Sequence, residues 1–267
     1  MRAMDWIEIG RMDEPGRMNT PAHRLDARAK ALVTLVFIGL VMSFSRYEIS
    51  ALVPFLLYPV SLAAIGRIPA RDIVKKMLVA APFAVIIGLV NPFLDRQPMG
   101  AIGPVVLTGG WISFTSILFR FILTVGAALV LVACTGMYRL GAGLERLGVP
   151  HVFVMQLLFL YRYLFVVSDE AVRIMRGVEL RANGVALRPR VYGSLVGQLL
   201  LRSMDRADRV YRAMVARGFD GEVHLMRRTP LRWQDAVFVA VSLAYLIAAR
   251  VWNLSDVLGH LFTGGLS

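Results

Sequence analysis

Cysteine is nearly absent from this chain. Cys134 is the only one in 267 residues, which excludes a disulfide framework and any zinc or iron–sulfur site built from thiolates, since those need two to four at set spacings. Acids are scarce, 18 Asp and Glu against 30 Lys and Arg, and none lies in the middle of an apolar run, which argues against a proton-coupled carrier. No G-x-x-x-x-G-K motif followed by Ser or Thr occurs, so the chain has no phosphate loop with which to hydrolyse ATP. The glycine-rich run from Gly141 to Gly148 lacks the strand and lysine of such a site and reads as a loop. The histidines His23, His151, His224 and His260 are scattered without an i, i+4 pair and read as surface residues rather than metal ligands. The first thirty residues contain no apolar h-region, so no cleavable signal is read there.

What is plentiful is apolar surface. A hydrophobic fraction of 57% beside a net charge of +12 and a mean hydropathy of +0.62 is too apolar for one soluble core and describes membrane segments kept apart from basic ones. The gaps between charges locate them, because a charge at bilayer centre costs about 2.5–3.5 kcal/mol. Uncharged runs of 15, 18, 18, 18 and 14 residues follow Lys30, Glu48, Lys76, Arg120 and Asp235. The first and last span a bilayer if Lys30 and Arg250 snorkel to the headgroups, with Trp252 in the interfacial belt. Pro98, Gly100, Gly103, Pro104, Gly109 and Gly110 predict a loop or short hairpin, with a helix restarting near Ser113. Prolines 54, 59, 82 and 92 predict kinked spans, and Cys134 is a small packing residue in the fourth.

Lys and Arg alternate between connections in the way that the positive-inside rule uses: six before the first span, one after it, then four, one and two. That places the N-terminus in the cytoplasm. Residues 168–234 hold thirteen Arg and seven acids and are read as cytoplasmic too. The apolar stretch 147–167 then lies in the interface or on the bundle, with Arg162 reaching headgroups or a partner. The resulting expectation is an all-α polytopic membrane helix bundle of about five spans, six if 147–167 crosses. Residues 1–28 form a cytoplasmic N-terminal segment, 29–136 four spans, 137–234 a cytoplasmic region, 235–254 the last span and 255–267 a tail.

Two helices of the cytoplasmic region end alike. One carries Val167, Ala171, Ile174, Met175, Val178 and Ala182 at helical spacing and ends near residue 184 in Arg181-Ala182-Asn183-Gly184. The other carries Val196, Leu199, Leu200, Ser203, Ala207, Val210, Tyr211 and Met214 and ends near 218 in Ala216-Arg217-Gly218. The polar face of the second holds Arg202, Asp205, Arg206, Arg209 and Arg212, and Pro189 separates the two helices. Arg and Gly at a helix end serve the dipole and the C-cap. A small Ala and Gly beside an exposed guanidinium also suit docking into a partner's groove. Asp169 and Glu170 point about 100° apart on a helix and form no paired-acid site. Excess charge follows topology rather than forming an aromatic-interleaved stripe, so nucleic acid is not an expected partner.

The pieces 23–30 (HRLDARAK), Leu147-Gly148-Val149-Pro150, Tyr161-Arg162-Tyr163 with Asp169-Glu170, Arg202-Ser203 with Arg206-Ala207, and 213–221 (AMVARGFDG, ending in Gly221) occur in that order. Over about residues 15–250 the chain resembles the transmembrane T component of energy-coupling factor transporters, in the CbiQ branch associated with cobalt uptake. The resemblance implies a non-catalytic scaffold that binds no cofactor itself. It implies partners as well: two P-loop ATPase subunits of the CbiO type that use the ATP, a substrate-binding membrane subunit of the CbiM type, and optionally a small CbiN-like subunit. The setting it implies is the bacterial inner membrane. Ala216, Arg217 and Gly218 match the second of the family's Ala-Arg-Gly signatures. In the first, Asn183 stands where the family has arginine, so either Arg181 supplies the charge or the register is shifted. Nickel or vitamin import, a stand-alone secondary transporter and a lipid-binding structural protein are the alternatives.

Overall fold

The computed structural model describes residues 25–45, 48–94, 98–102, 105–182, 188–221 and 232–251. Helices are α1 (Ala27–Met42), α2 (Leu57–Gly66), α3 (Ala70–Leu89), α4 (Asn91–Leu94), α5 (Gly109–Thr135), α6 (Met137–Arg146), α7 (His151–Ala182), α8 (Pro189–Val215) and α9 (Trp233–Val251). A 3-10 segment, Ser50–Leu56, leads into α2. Among the described residues the fold is all-α apart from one antiparallel hairpin, β1 (Pro98–Ile102) paired with β2 (Val105–Thr108), at the Gly- and Pro-rich stretch where a loop or short hairpin is expected. The restart of helix comes at Gly109, four residues before Ser113. Among the described residues three helices, α5, α7 and α9, are long and apolar enough to cross a membrane. At 1.5 Å per residue, α5 alone is about 40 Å long.

The chain divides at Met137 into two compact units. In the unit containing α1 to α5 and α9, Val33, Phe37, Val41, Leu52, Phe55, Leu123, Ala127, Val130, Cys134 and Leu246 form the core. Pro54 prevents a regular α-helix through the second span, which is why that span opens in the tighter 3-10 form. The carbonyl of Pro54 accepts a bond from the Tyr245 hydroxyl on α9 at 2.6 Å. Phe55 and Tyr58 stack around Phe37, at centroid distances of 6.0 and 5.0 Å. Cys134 is indeed a buried packing residue. A Cβ on Gly66 would lie 2.7 Å from its sulfur, so glycine is what lets α2 approach α5 there.

The basic residues of this unit depart most from expectation. Lys30 does not snorkel outward. It is fully buried, and its Nζ donates to the Cys134 carbonyl at 3.1 Å. That carbonyl belongs to the last turn of α5, where four acceptors lack helical partners and a cation is favoured by the dipole. Arg120 lies well inside α5, not near its end, and its Nη2 donates to the carbonyls of Phe44 and Ser45 at 3.0 and 2.6 Å, just beyond α1. A cation at each end therefore clamps α1 and α5 as antiparallel neighbours. Arg250 stacks over the Phe44 ring at 4.2 Å instead of reaching headgroups, and Trp252 lies outside the described residues. Asp26 caps α1 by accepting from the Arg28 amide at 2.9 Å. Its own amide donates to the buried Asp235 at 2.7 Å, joining the beginnings of α1 and α9.

In the other unit, the expected loop at Gly141–Gly148 is helix as far as Arg146. Its glycines serve contact: a Cβ on Gly141 would lie 3.0 Å from Leu158 of α7. Nor is 147–167 a helix separate from the one that follows. Residues 151–182 form a single 32-residue helix, since no Pro or Gly pair interrupts it at Ser168. Its first half is apolar and its second charged.

Candidate coupling site at two helix ends

The end of α8 is a Schellman turn. The Phe219 amide donates to Met214 O at 3.0 Å, and the Gly218 amide to Val215 O at 2.9 Å, with Gly218 at φ +82. An L side chain resists that backbone region, and glycine occupies it without cost. Ala216, Arg217 and Gly218 are all exposed, as is Gly221, which has φ +96. Arg217 makes no ion pair within the protein among the described residues. Its guanidinium thus stands in solvent on a backbone held by the turn's hydrogen bonds. At the end of α7, Arg181 is exposed and Ala182 half-buried. Asn183 and Gly184 lie outside the described residues.

What holds α7 to α8 is Glu170, which the sequence reading weighed only beside Asp169 as a pair of helix acids. Glu170 Oε1 accepts from Arg202 at 2.8 Å, while Oε2 accepts from Arg173 at 2.9 Å and lies 3.8 Å from Arg206. Asp169, next to it, is exposed, so the two acids do diverge. This draws Arg202 and Arg206 to the helix contact and rotates α8. Leu195, Leu199, Ser203, Arg206, Val210 and Met214 are the half-covered row, whereas Val196, Leu200, Met204 and Tyr211 remain exposed. The expected apolar face of α8 is thus split, because one carboxylate on α7 outweighs the apolar count. Arg209 and Asp205 are exposed, and Arg212 pairs with Asp208 on its own helix at 2.6 Å. The signal available in the sequence was an acid at the start of the charged half of one helix and arginines at i, i+4 on the other. His151 is likewise not an idle surface histidine, since its Nδ1 lies 3.0 Å from Glu145 Oε1.

The hydrogen bond from Arg202, reinforced by the charges of Arg173 and Arg206, holds the Glu170 carboxyl below its usual range. A carboxyl whose folded value is depressed stabilises the fold above its unfolded value, and that contribution is lost as pH falls through the folded value. Glu170→Gln is therefore expected to speed amide hydrogen exchange along α8 at neutral pH. Wild type should approach the variant as pH drops below the ordinary carboxylate range. Identical exchange in both proteins at neutral pH would deny Glu170 its role.

Residues 18–227 match the CbiQ family, described as cobalt transport protein. The chain is 25% identical over 248 residues to the energy-coupling factor transporter transmembrane protein EcfT of Thermosediminibacter oceani, covering 86% of this chain and 92% of that protein. With the EcfT protein of Listeria innocua it shares 25% identity over 256 residues, 88% and 94% of the two chains. A shorter stretch of 115 residues is 33% identical to the nickel permease LarQ of Lactiplantibacillus plantarum, 42% and 41% of the respective lengths.

Proposed function

Because the chain belongs to the CbiQ family of cobalt transport proteins, we propose that it is the transmembrane T component of an ATP-driven importer, with cobalt ion as the transported substrate. The observation that carries this is the exposed Arg217 on the Schellman turn ending α8, a guanidinium that makes no ion pair among the described residues. In this reading the N-terminus faces the cytoplasm, the side that the Lys and Arg counts of the connections favour. Two CbiO-like ATPase subunits bind the helix ends, Ala216-Arg217-Gly218 on one and Arg181-Ala182-Asn183-Gly184 on the other. ATP is used there, and this chain holds no cofactor. A guanidinium offers a planar fork of donors to a carboxylate in the ATPase groove, a charge-assisted contact that is strong where it is shielded from water.

The mechanism is mechanical. Closing of the ATPase pair moves the two docked ends relative to each other, and α7 and α8 carry that movement to a CbiM-like substrate-binding membrane subunit, with or without a CbiN-like accessory. Coupling requires contacts that differ between the two states. The Glu170 cluster with Arg202 and Arg206 is the joint about which the helices turn, with Asp205, Arg209 and Gly221 in supporting positions. Nickel is the second reading, favoured by the similarity to LarQ.

The test is co-purification from membranes followed by reconstitution. A stable complex with a P-loop ATPase and ATP-dependent uptake of cobalt in preference to nickel is the expected result. Transport by this chain alone, without ATP, would overturn it.

A further inference from the structure

Between α7 and α8 lies a cleft of about 300 Å3 into which Arg202, Arg206 and Arg209 project from α8. Two carboxylates, Glu170 and Asp205, also line it, so the guanidiniums are in excess. Glu170 is moreover shared with Arg173, which leaves still less negative charge for the three. Arg209 has no ion-pair partner among the described residues. The cleft is thus short of an anion, and a fork of guanidiniums is the side-chain arrangement best suited to a phosphate.

The facing wall contributed by α7 is apolar at Val166 and Val167. It continues along α7. Phe153, Leu160 and Leu164 are 67%, 66% and 51% exposed, and with Val167 they follow at steps of seven, four and three residues, which is one helix face. That stripe belongs to the apolar half of a helix long and apolar enough for a membrane, and it ends where the arginines begin. A ligand with an acyl chain on one side of a phosphate matches both surfaces, whereas a free phosphate uses only the second. From this we infer that the cleft binds the phosphate of an anionic phospholipid, with an acyl chain along the stripe. The site is separate from the helix ends assigned to the ATPases, and its test needs only the purified chain.

The experiment is native mass spectrometry of the full chain in an uncharged detergent, titrated with phosphatidylglycerol or with phosphatidylcholine of the same acyl composition. At about fivefold per arginine near a lipid phosphate, phosphatidylglycerol is expected to bind at least about tenfold tighter. Arg209→Gln should lose about fivefold of that preference with no change in Tm, since Arg209 makes no ion pair among the described residues. A Leu160→Ser/Leu164→Ser variant should weaken both lipids. Equal binding of the two lipids, or an Arg209→Gln variant indistinguishable from wild type, would overturn the proposal. Displacement of the lipid by inorganic phosphate at equal concentration would make the cleft a free-anion site and overturn it too. Release of the lipid on adding the ATPase partner would assign the arginines to a protein carboxylate instead.

Discussion

Arg217→Glu is expected to reduce ATP-driven uptake to less than about a tenth and to release the ATPase pair during purification, while the chain still inserts into the membrane. The local structural effect is small. A negative charge in the last turn opposes the helix dipole by about 0.3–1 kcal/mol at an exposed position. Gly218 and the Schellman hydrogen bonds hold the turn without the arginine side chain. The effect on docking is large, because a charge-assisted bond of about 1.5–3 kcal/mol is lost and like charges are brought together in its place. One factor of ten corresponds to about 1.4 kcal/mol, so the loss of the bond alone suffices. Arg217→Lys should fall between the two, keeping the charge but losing the bidentate fork. Uptake and ATPase association measured in parallel decide the matter, and normal values for Arg217→Glu would remove the core of the coupling proposal.

Lys30→Ala is expected to be the most damaging single change for stability, about 3–5 kcal/mol, seen as a fall in Tm of the purified protein. Two losses combine. Truncating a fully buried long side chain leaves a cavity, as with other large-to-Ala core changes. The Cys134 carbonyl at the end of α5 then loses its donor in a site closed to water. Lys30→Met fills the space without the donor and should recover part of the loss. Arg120→Ala, acting on the partly exposed Phe44 and Ser45 carbonyls at the other end of the same helix pair, should cost less because water can replace it. A Tm unchanged in Lys30→Ala would mean that the clamp does not hold α1 to α5.

Much of the architecture was readable from where charges are absent. The five uncharged runs correspond to α1, the 3-10 segment with α2, α3, α5 and α9, because burying a charge is costly enough to leave a mark on the chain. The helix end at Ala216-Arg217-Gly218 was readable as well, since only glycine sits easily at the φ that Gly218 adopts. Charges whose partners lie far along the chain were misread. Lys30 bonds a carbonyl 104 residues away, Arg120 one 75 residues away, and Glu170 an arginine 32 residues away. Each looked like a membrane-end anchor or a solvated helix face. Gly141 was misjudged for a related reason: taken alone, glycine suggests a loop, but against Leu158 it permits close packing of two helices.

Sequence by itself determined that this chain is an apolar helical protein with a segregated basic region, no phosphate loop and no thiolate site, because those properties depend on which residues are present and how they are spaced. Only the tertiary structure decided that α7 runs unbroken from its apolar half into its charged half. It decided also that α8 is turned by Glu170, so that Arg202 and Arg206 pair with that carboxylate while Arg209 and Arg217 make no ion pair among the described residues. The reason is that a cation or carboxylate is neutral information along the chain. Its role is set by the one oppositely charged group or open carbonyl that folding brings within about 3 Å.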